Sequence, residues 1–241
     1  MTGAILEVEG LRKRFGGLPV IDDLSFEVHD EALGVVGPNG AGKTTLLDLV
    51  AGELRADAGR VRFDGRDITG QSAGRRARAG IARTSQIPRP FEGMTVFENV
   101  LVGATFARGH GARSRGERAA ESLERVGLAD VANTSARSLR LLDRKRLELA
   151  RALAARPRAL LLDEIAGGLT EPEIVVLIEL IREIRGDGVV VVWIEHIVHA
   201  LLAVVDRLMA IDRGTKLADG PPRDVMASKE VQSVYLGSAE P

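Results

Sequence analysis

The stretch GPNGAGKTT, Gly37 to Thr45, satisfies the spacing G-x-x-x-x-G-K-[ST]. Small residues at Gly37, Pro38, Asn39, Gly40, Ala41 and Gly42 let successive backbone N–H groups curl around a phosphate at a helix start, where unpaired donors and the helix dipole favour an anion. Lys43 then reaches the terminal phosphates, the Thr44 hydroxyl ligates Mg²⁺, and Thr45 completes the loop. A Mg·nucleotide needs a second anchor, and the apolar run Ala159–Leu162 ends in Asp163 and Glu164. Asp163 suits the Mg²⁺ shell through water, and Glu164 suits polarising an attacking water. Alone, such a pair is equally a solvated loop start; the phosphate loop upstream favours the chemistry. His196 lies just past another apolar run, at the edge where doubly wound sheets collect ligands. A lone histidine also serves structure, and His199 makes no metal pair with it because no third ligand is near.

Segments of distinct pattern must position these groups. AILEVEGLRKRF (Ala4–Phe15) and LSFEVHD (Leu24–Asp30) place apolar side chains on alternate positions, as half-buried strands do, and GRVRFDGRDI (Gly59–Ile68) repeats this around an Asp64-Gly65 turn. They predict an antiparallel layer. Ala32–Val36, Ala159–Leu162 and Gly188–Ile194 are nearly continuous apolar runs, suited to parallel strands covered by helices on both faces. KTTLLDLVAGEL after the first run reads as a helix, as does TEPEIVVLIELIREIRGDG, opened by a capping box at Thr170 and Glu173 and closed by Gly186 and Gly188. From Pro88 to Arg156 only helical segments such as MTVFENVLVGATFA and GERAAESLERVGL appear. The expected organisation is one α/β domain, 1–241, with a nucleotide-binding core over 1–87 and 157–241 and an inserted α-helical subdomain over 88–156. ARGHGARSRGE (Ala107–Glu117) reads as a mobile loop.

Composition excludes several classes. With 241 residues, 45% hydrophobic and 28% charged, the chain suits one sizeable core and not disorder. A formal net charge of -1 supplies no global field for nucleic acid or anionic lipid. The Arg-rich stretch Gly74–Arg83 is either a local basic patch or a solvated helix face. No cysteine is present, which excludes disulfides and thiolate chemistry. No signal pattern opens the sequence and no apolar run approaches a membrane span, so the expected location is cytoplasmic, with any membrane role exercised by docking.

The order of these motifs resembles the ATP-binding-cassette (ABC) ATPases over nearly the whole chain. The resemblance rests on GPNGAGKTT, Gln86 in RTSQ, the signature-region helix RLELARAL, the strand ending in Asp163-Glu164, a D-loop-like GGLT and the histidine of IEH. RFGG near the start, IARTSQIPRPFEGMTVFENVLVGA and the terminal VYLG look like the subunit that powers branched-chain amino acid importers. The resemblance implies a P-loop NTPase core with a mostly parallel sheet, an N-terminal antiparallel layer and a helical insertion. It places Phe15 where an aromatic ring stacks on adenine, although a sheet-core phenylalanine explains the same residue. It makes Gln86 the lid-loop glutamine that meets Mg²⁺ and the attacking water, against the alternative of a surface glutamine, and His196 the switch histidine contacting the γ-phosphate. Pro88, Pro90, Phe91 and Met94 fall where importer relatives receive a short helix of the membrane-spanning subunit; ordinary packing at a helix start is the other reading.

The family's L-S-G-G-Q segment, which binds the γ-phosphate of ATP held by a second subunit, is altered here to Leu139, Arg140, Leu141, Leu142 and Asp143. Leu142 replaces a close-approach glycine and holds a phosphate off by its bulk. Arg140 offers two charge-assisted bonds in compensation. Asp143 repels a phosphate unless it caps the helix and points aside. Ser138 supplies the hydroxyl only if the register slips. Ile165 and Thr170 also depart from the family's proline and aspartate.

The implied activity is Mg-dependent ATP hydrolysis coupled to transport, with ATP and Mg²⁺ as cofactors. Implied partners are a second cassette ATPase, identical or related, integral membrane permease subunits, and indirectly an extracytoplasmic substrate-binding protein, but not nucleic acid. The chain is then peripheral on the inner face of the cell membrane. Alternatives are a lipid or lipopolysaccharide exporter subunit and a nucleotide-binding subunit with little hydrolysis. A soluble cassette of DNA repair or translation is disfavoured because neither a second cassette nor a long coiled coil is present.

Overall fold

A computed structural model describes residues 3–106 and 114–236, divided into two compact units, Met1–Ala73 with Val190–Pro241, and Gly74–Val189. The first unit opens with β1 (Leu6–Phe15), β2 (Leu18–Val28), β3 (Ala32–Val36), α1 (Lys43–Ala51), β4 (Ala58–Phe63) and β5 (Arg66–Asp67). Strands β2, β1, β4 and β5 pair in that order, antiparallel throughout. The expected alternation in β1 is broken once: Leu6, Val8 and Leu11 are buried, not every second residue, because the pairing shifts at Gly10, which takes φ 55°. An extra residue at a bulge resets which side chains face inward. Asp64 and Gly65, at φ 51° and 70°, make the tight β4–β5 turn.

The second unit holds α2 (Ala73–Ala79), β6 (Ile81–Arg83), α3 (Val96–Ala104), α4 (Arg115–Arg125), α5 (Leu141–Ala154), β7 (Ala159–Asp163) and α6 (Glu171–Gly186). β6 and β7 run parallel, pairing Ile81 with Ala159 and Arg83 with Leu161. Between them α3, α4 and α5 pack on one another. The mobile-loop expectation falls largely on 107–113, outside the described residues, while Ser114 caps α4 and Glu117 lies in its first turn. Arg76 is 2% exposed, so the Arg-rich stretch is not a uniformly solvated face.

The chain returns to the first unit through β8 (Val190–Ile194), α7 (Val198–Leu202), β9 (Arg207–Asp212), β10 (Thr215–Gly220), α8 (Pro222–Ala227) and α9 (Lys229–Leu236). β3 is parallel to both β8 and β9, with Val35 opposite Ile194 and Val36 opposite Ala210, and β10 runs antiparallel on β9. Every residue of β3 and β8 is buried, which is why these runs are continuous in apolar character. Each fully buried Val, Ile or Leu contributes about 1.5–3 kcal/mol, enough to hold the strand ends rigidly. Among the described residues no helix is long and apolar enough to cross a membrane.

Candidate functional site

In the first unit the phosphate loop leaves β3 at Val36 and enters α1 at Lys43. A Cβ on Gly37 would lie 2.2 Å from the Ile211 carbonyl oxygen, and one on Gly42 would lie 2.6 Å from that of Val20, so neither position admits a side chain. Gly42 also takes φ 99° as the N-cap of α1, with no side-chain hydrogen bond at the cap. Lys43 is 6% exposed, and its Nζ donates to the Gly37 and Pro38 carbonyls at 2.7 and 3.0 Å. The loop is thereby curled around its own lysine. Pro38 is half-buried, Asn39 and Gly40 exposed and Ala41 buried, while Thr44 is exposed and Thr45 half-buried in the first turn of α1. Register places the β8 end beside the β3 end, so Glu195 and His196 follow on the loop's edge. Glu195, 2% exposed, accepts the His196 and Ile197 amides at 2.9 and 3.3 Å and fixes the backbone from which exposed His196 projects.

Phe15 ends β1 with 48% of its surface exposed, so it is not a sheet-core residue. Lys13 Nζ lies 5.5 Å from its ring centre and 3.0 Å from Asp57 Oδ1, and Asp57 Oδ2 accepts the Arg14 amide at 2.7 Å. The Arg14 amide, and then Lys13, hold the Asp57 carboxyl below its ordinary value. Lys13 and Arg14, just before Phe15, are bound to one carboxylate 44 and 43 residues further on, a pairing that no sequence spacing marks.

In the second unit β6 and β7 also end on one edge. Asp163 is 1% exposed; its Oδ2 accepts Arg83 Nη2 at 2.9 Å and its amide donates to Thr84 Oγ1 at 3.4 Å. Gln86 Nε2 donates to Glu164 Oε2, so the glutamine and the acid named from sequence are in direct contact. Glu164 takes φ 45°, a left-handed conformation that costs a non-glycine residue about 1–2 kcal/mol, and such strain collects at functional positions. Nothing in sequence separates Arg83, bound to a carboxylate, from the other arginines of its basic stretch.

The altered signature lies at the start of α5. Leu139 is 8% exposed; Arg140 is the exposed N-cap, extended at φ -70° and without a side-chain hydrogen bond; Leu141 is 41% exposed and meets Gly168; Leu142 is half-buried. Asp143 does not supply the cap expected of it: its Oδ1 faces Arg146 Nη1 at 3.4 Å. No register slip brings in Ser138, whose hydroxyl donates to the Ser135 carbonyl at 2.8 Å. Arg144 pins the approach to the helix by donating to the Leu139 and Arg137 carbonyls, each at 2.9 Å. Further along the unit, Phe91 and Met94 are 46% and 38% exposed beside Ile87 at 69%, while Pro88 and Pro90 are half-buried. Buried Asn99 shapes this surface, accepting the Phe91 amide at 2.8 Å and donating to the Phe91 and Thr95 carbonyls at 3.1 and 2.9 Å.

Taken each within its own unit, the Thr44 hydroxyl and the Asp163 carboxylate are hard oxygens of the kind Mg²⁺ takes. No group of three His, Cys, Asp or Glu able to hold a metal by itself occurs among the described residues.

A family model described as ABC transporter matches residues 21–167. The chain is 38% identical over 255 residues to the high-affinity branched-chain amino acid transport ATP-binding protein BraF of Pseudomonas aeruginosa, covering 99% of this chain and 100% of that one. It is 34% identical over 235 residues to the lipopolysaccharide export system ATP-binding protein LptB of Haemophilus influenzae, covering 97% and 98%. A solved ATP-binding cassette of an ABC transporter in its ADP conformation matches with a TM-score of 0.88 at 29% identity, covering 98% of this chain and 100% of that one.

Proposed function

The chain belongs to the ABC transporter family, and on that premise we propose that it is the ATP-hydrolysing subunit of an importer for branched-chain or related amino acids. The observation that supports this most is the shared strand edge: the curled loop around Lys43 and the His196 segment leave neighbouring parallel strands on one side. In this reading the loop amides and Lys43 hold the nucleotide's terminal phosphates, and Phe15 stacks on its base. Thr44, Asp163 and Gln86 are the residues that would hold Mg²⁺, which would supply charge neutralisation for the transferring phosphoryl group. Glu164, oriented by Gln86, takes the proton of the attacking water, a role contributing about 10²–10⁴-fold. His196 donates to a γ-phosphate oxygen.

Residues 88–156 form the helical subdomain of this assignment, within a single cassette of 1–241. Two cassettes close over two nucleotides, each presenting its signature segment to the other's γ-phosphate. Pro88, Pro90, Phe91 and Met94 receive a helix of a membrane permease and pass the closing motion to it, with an extracytoplasmic binding protein delivering cargo. The cassette then sits on the inner membrane face without crossing it. The importer reading is preferred to lipopolysaccharide export because the importer relative is the more identical. Uptake of labelled leucine by cells lacking this gene tests it: the wild-type chain restores uptake and Glu164→Gln does not. Uptake that is independent of the gene contradicts it.

A further inference from the structure

Glu148 lies on α5, only 3% exposed, and takes no part in the chemistry above. Its carboxylate is bound by the loop that follows β6 and by its own helix. One oxygen accepts the Ser85 amide at 3.4 Å; the other accepts the Arg89 amide at 3.1 Å and Arg151 Nη2 at 3.2 Å. Between those amides stands Gln86, whose side chain donates to Glu164. Arg151 extends the brace: its Nη1 donates to the Arg89 carbonyl at 3.2 Å, and its guanidinium lies 5.5 Å from the centre of the Phe91 ring. One buried carboxylate therefore ties both ends of the 85–89 segment to the helix that begins with the altered signature. Burial pushes its carboxyl above the ordinary value, against the pull of the Arg89 amide and Arg151.

We propose that Glu148 is a positioning residue for hydrolysis: it holds Ser85–Arg89 against α5 so that Gln86 keeps Glu164 in place and so that loop and helix move as one piece. The proposal rests on the reading that Gln86 and Glu164 act in ATP hydrolysis. Glutamine at 148 keeps the shape but offers one accepting oxygen where the carboxylate offers two, so one loop amide loses its partner.

The test compares the full-length chain with Glu148→Gln and Arg151→Lys by amide hydrogen exchange over 84–91, Mg·ATP calorimetry, phosphate release and melting temperature. For Glu148→Gln the expected result is about 10-fold faster exchange at Ser85 or Arg89 and kcat down roughly 10-fold, since small misplacements near a reacting group cost up to about 10² in rate. ATP affinity stays within about 2-fold and Tm falls by no more than about 2 °C, because glutamine avoids the cost of burying a charge while Arg151, its side chain 23% exposed, keeps solvent and the Arg89 carbonyl as partners. Arg151→Lys keeps the charge but not the planar fork, so it loosens only the Arg89 end and lowers kcat about 2–4-fold. A folded Glu148→Gln variant with unchanged exchange and kcat overturns the proposal, as does parallel loss of kcat, affinity and Tm. Should that variant not fold, Arg151→Lys decides by the same readings. A wild-type chain that binds Mg·ATP but releases no phosphate defeats the hydrolysis reading, while the exchange arm still decides the brace.

Discussion

α1 and α5 are the two helices of nine or more residues, among those described, that begin without a reciprocal cap. α3, α4 and α6 each begin with a Thr or Ser whose amide is bonded by Glu98, Glu117 or Glu173. Both uncapped starts are the ones assigned to phosphate, one on this chain's own nucleotide and one on a partner's. They differ in what surrounds the backbone donors. At α1 there are glycines where no Cβ fits and a buried lysine; at α5 there is an exposed arginine, then Leu141 lying against Gly168. A helix start attracts an anion through its amides and dipole, but the anion must also reach them, and the second start sets larger side chains, Arg140, Leu141 and Leu142, where the first has glycine and alanine.

The largest expected effect breaks the better half. Lys43→Ala is expected to lower turnover about 10³-fold and to weaken Mg·ATP binding, because it removes a fixed positive charge from the phosphates; phosphate release and calorimetry measure both. Glu164→Gln separates binding from chemistry: turnover falls by about 10² or more while ATP affinity holds, and closed dimers accumulate on gel filtration with ATP. The other half is sharpened by repair. Arg140→Ser with Leu142→Gly is expected to raise turnover at the partner's nucleotide by roughly 10-fold, by readmitting the phosphate to the α5 amides. Asp57→Ala is expected to release Lys13 and Phe15 and to weaken ATP binding about 2–10-fold, the size of a stacking contribution, while inorganic tripolyphosphate binds as before.

The smallest effect concerns pH. Burial acts to raise Asp219 in the first unit, but hydrogen bonds from Arg207 and Lys216 outweigh it and hold the carboxyl below its ordinary value. Its stabilisation is present above the unfolded value and lost as pH falls through the lower folded one. Glu148 in the second unit is raised, so its sign is opposite: the stabilisation it carries is full below the unfolded value and lost as pH rises through the folded one. Melting curves from pH 3 to 7 should therefore flatten on the acid side in Asp219→Asn and at higher pH in Glu148→Gln.

Much of this was legible in sequence wherever a covalent pattern carried the physics. The continuous runs Ala32–Val36 and Val190–Ile194 are buried strands because burial on both faces removes alternation. Thr170 and Glu173 cap α6 because the capping box is local. The phosphate loop is legible for the same reason: its glycines, lysine and hydroxyls lie within nine residues. What escaped was tertiary. The bulge at Gly10 depends on pairing with β2 and β4, and β9 and β10 were unmarked although Arg207–Asp212 carries the apolar run LMAI. The partners of Asp163 and Asp57, and the loop amides bound by Glu148, stand dozens of residues away, and no spacing rule names them. Asp143 was expected to cap, but Arg146 one turn on competes for its carboxylate.

The unequal halves are tested most directly in mixed dimers of this chain with a cassette ATPase that carries an unaltered signature, placing a lysine-to-alanine change in the phosphate loop of one subunit at a time. Phosphate release is expected to collapse when Lys43 of this chain is changed and to persist largely when the partner's lysine is changed. Equal loss from either side would contradict the account.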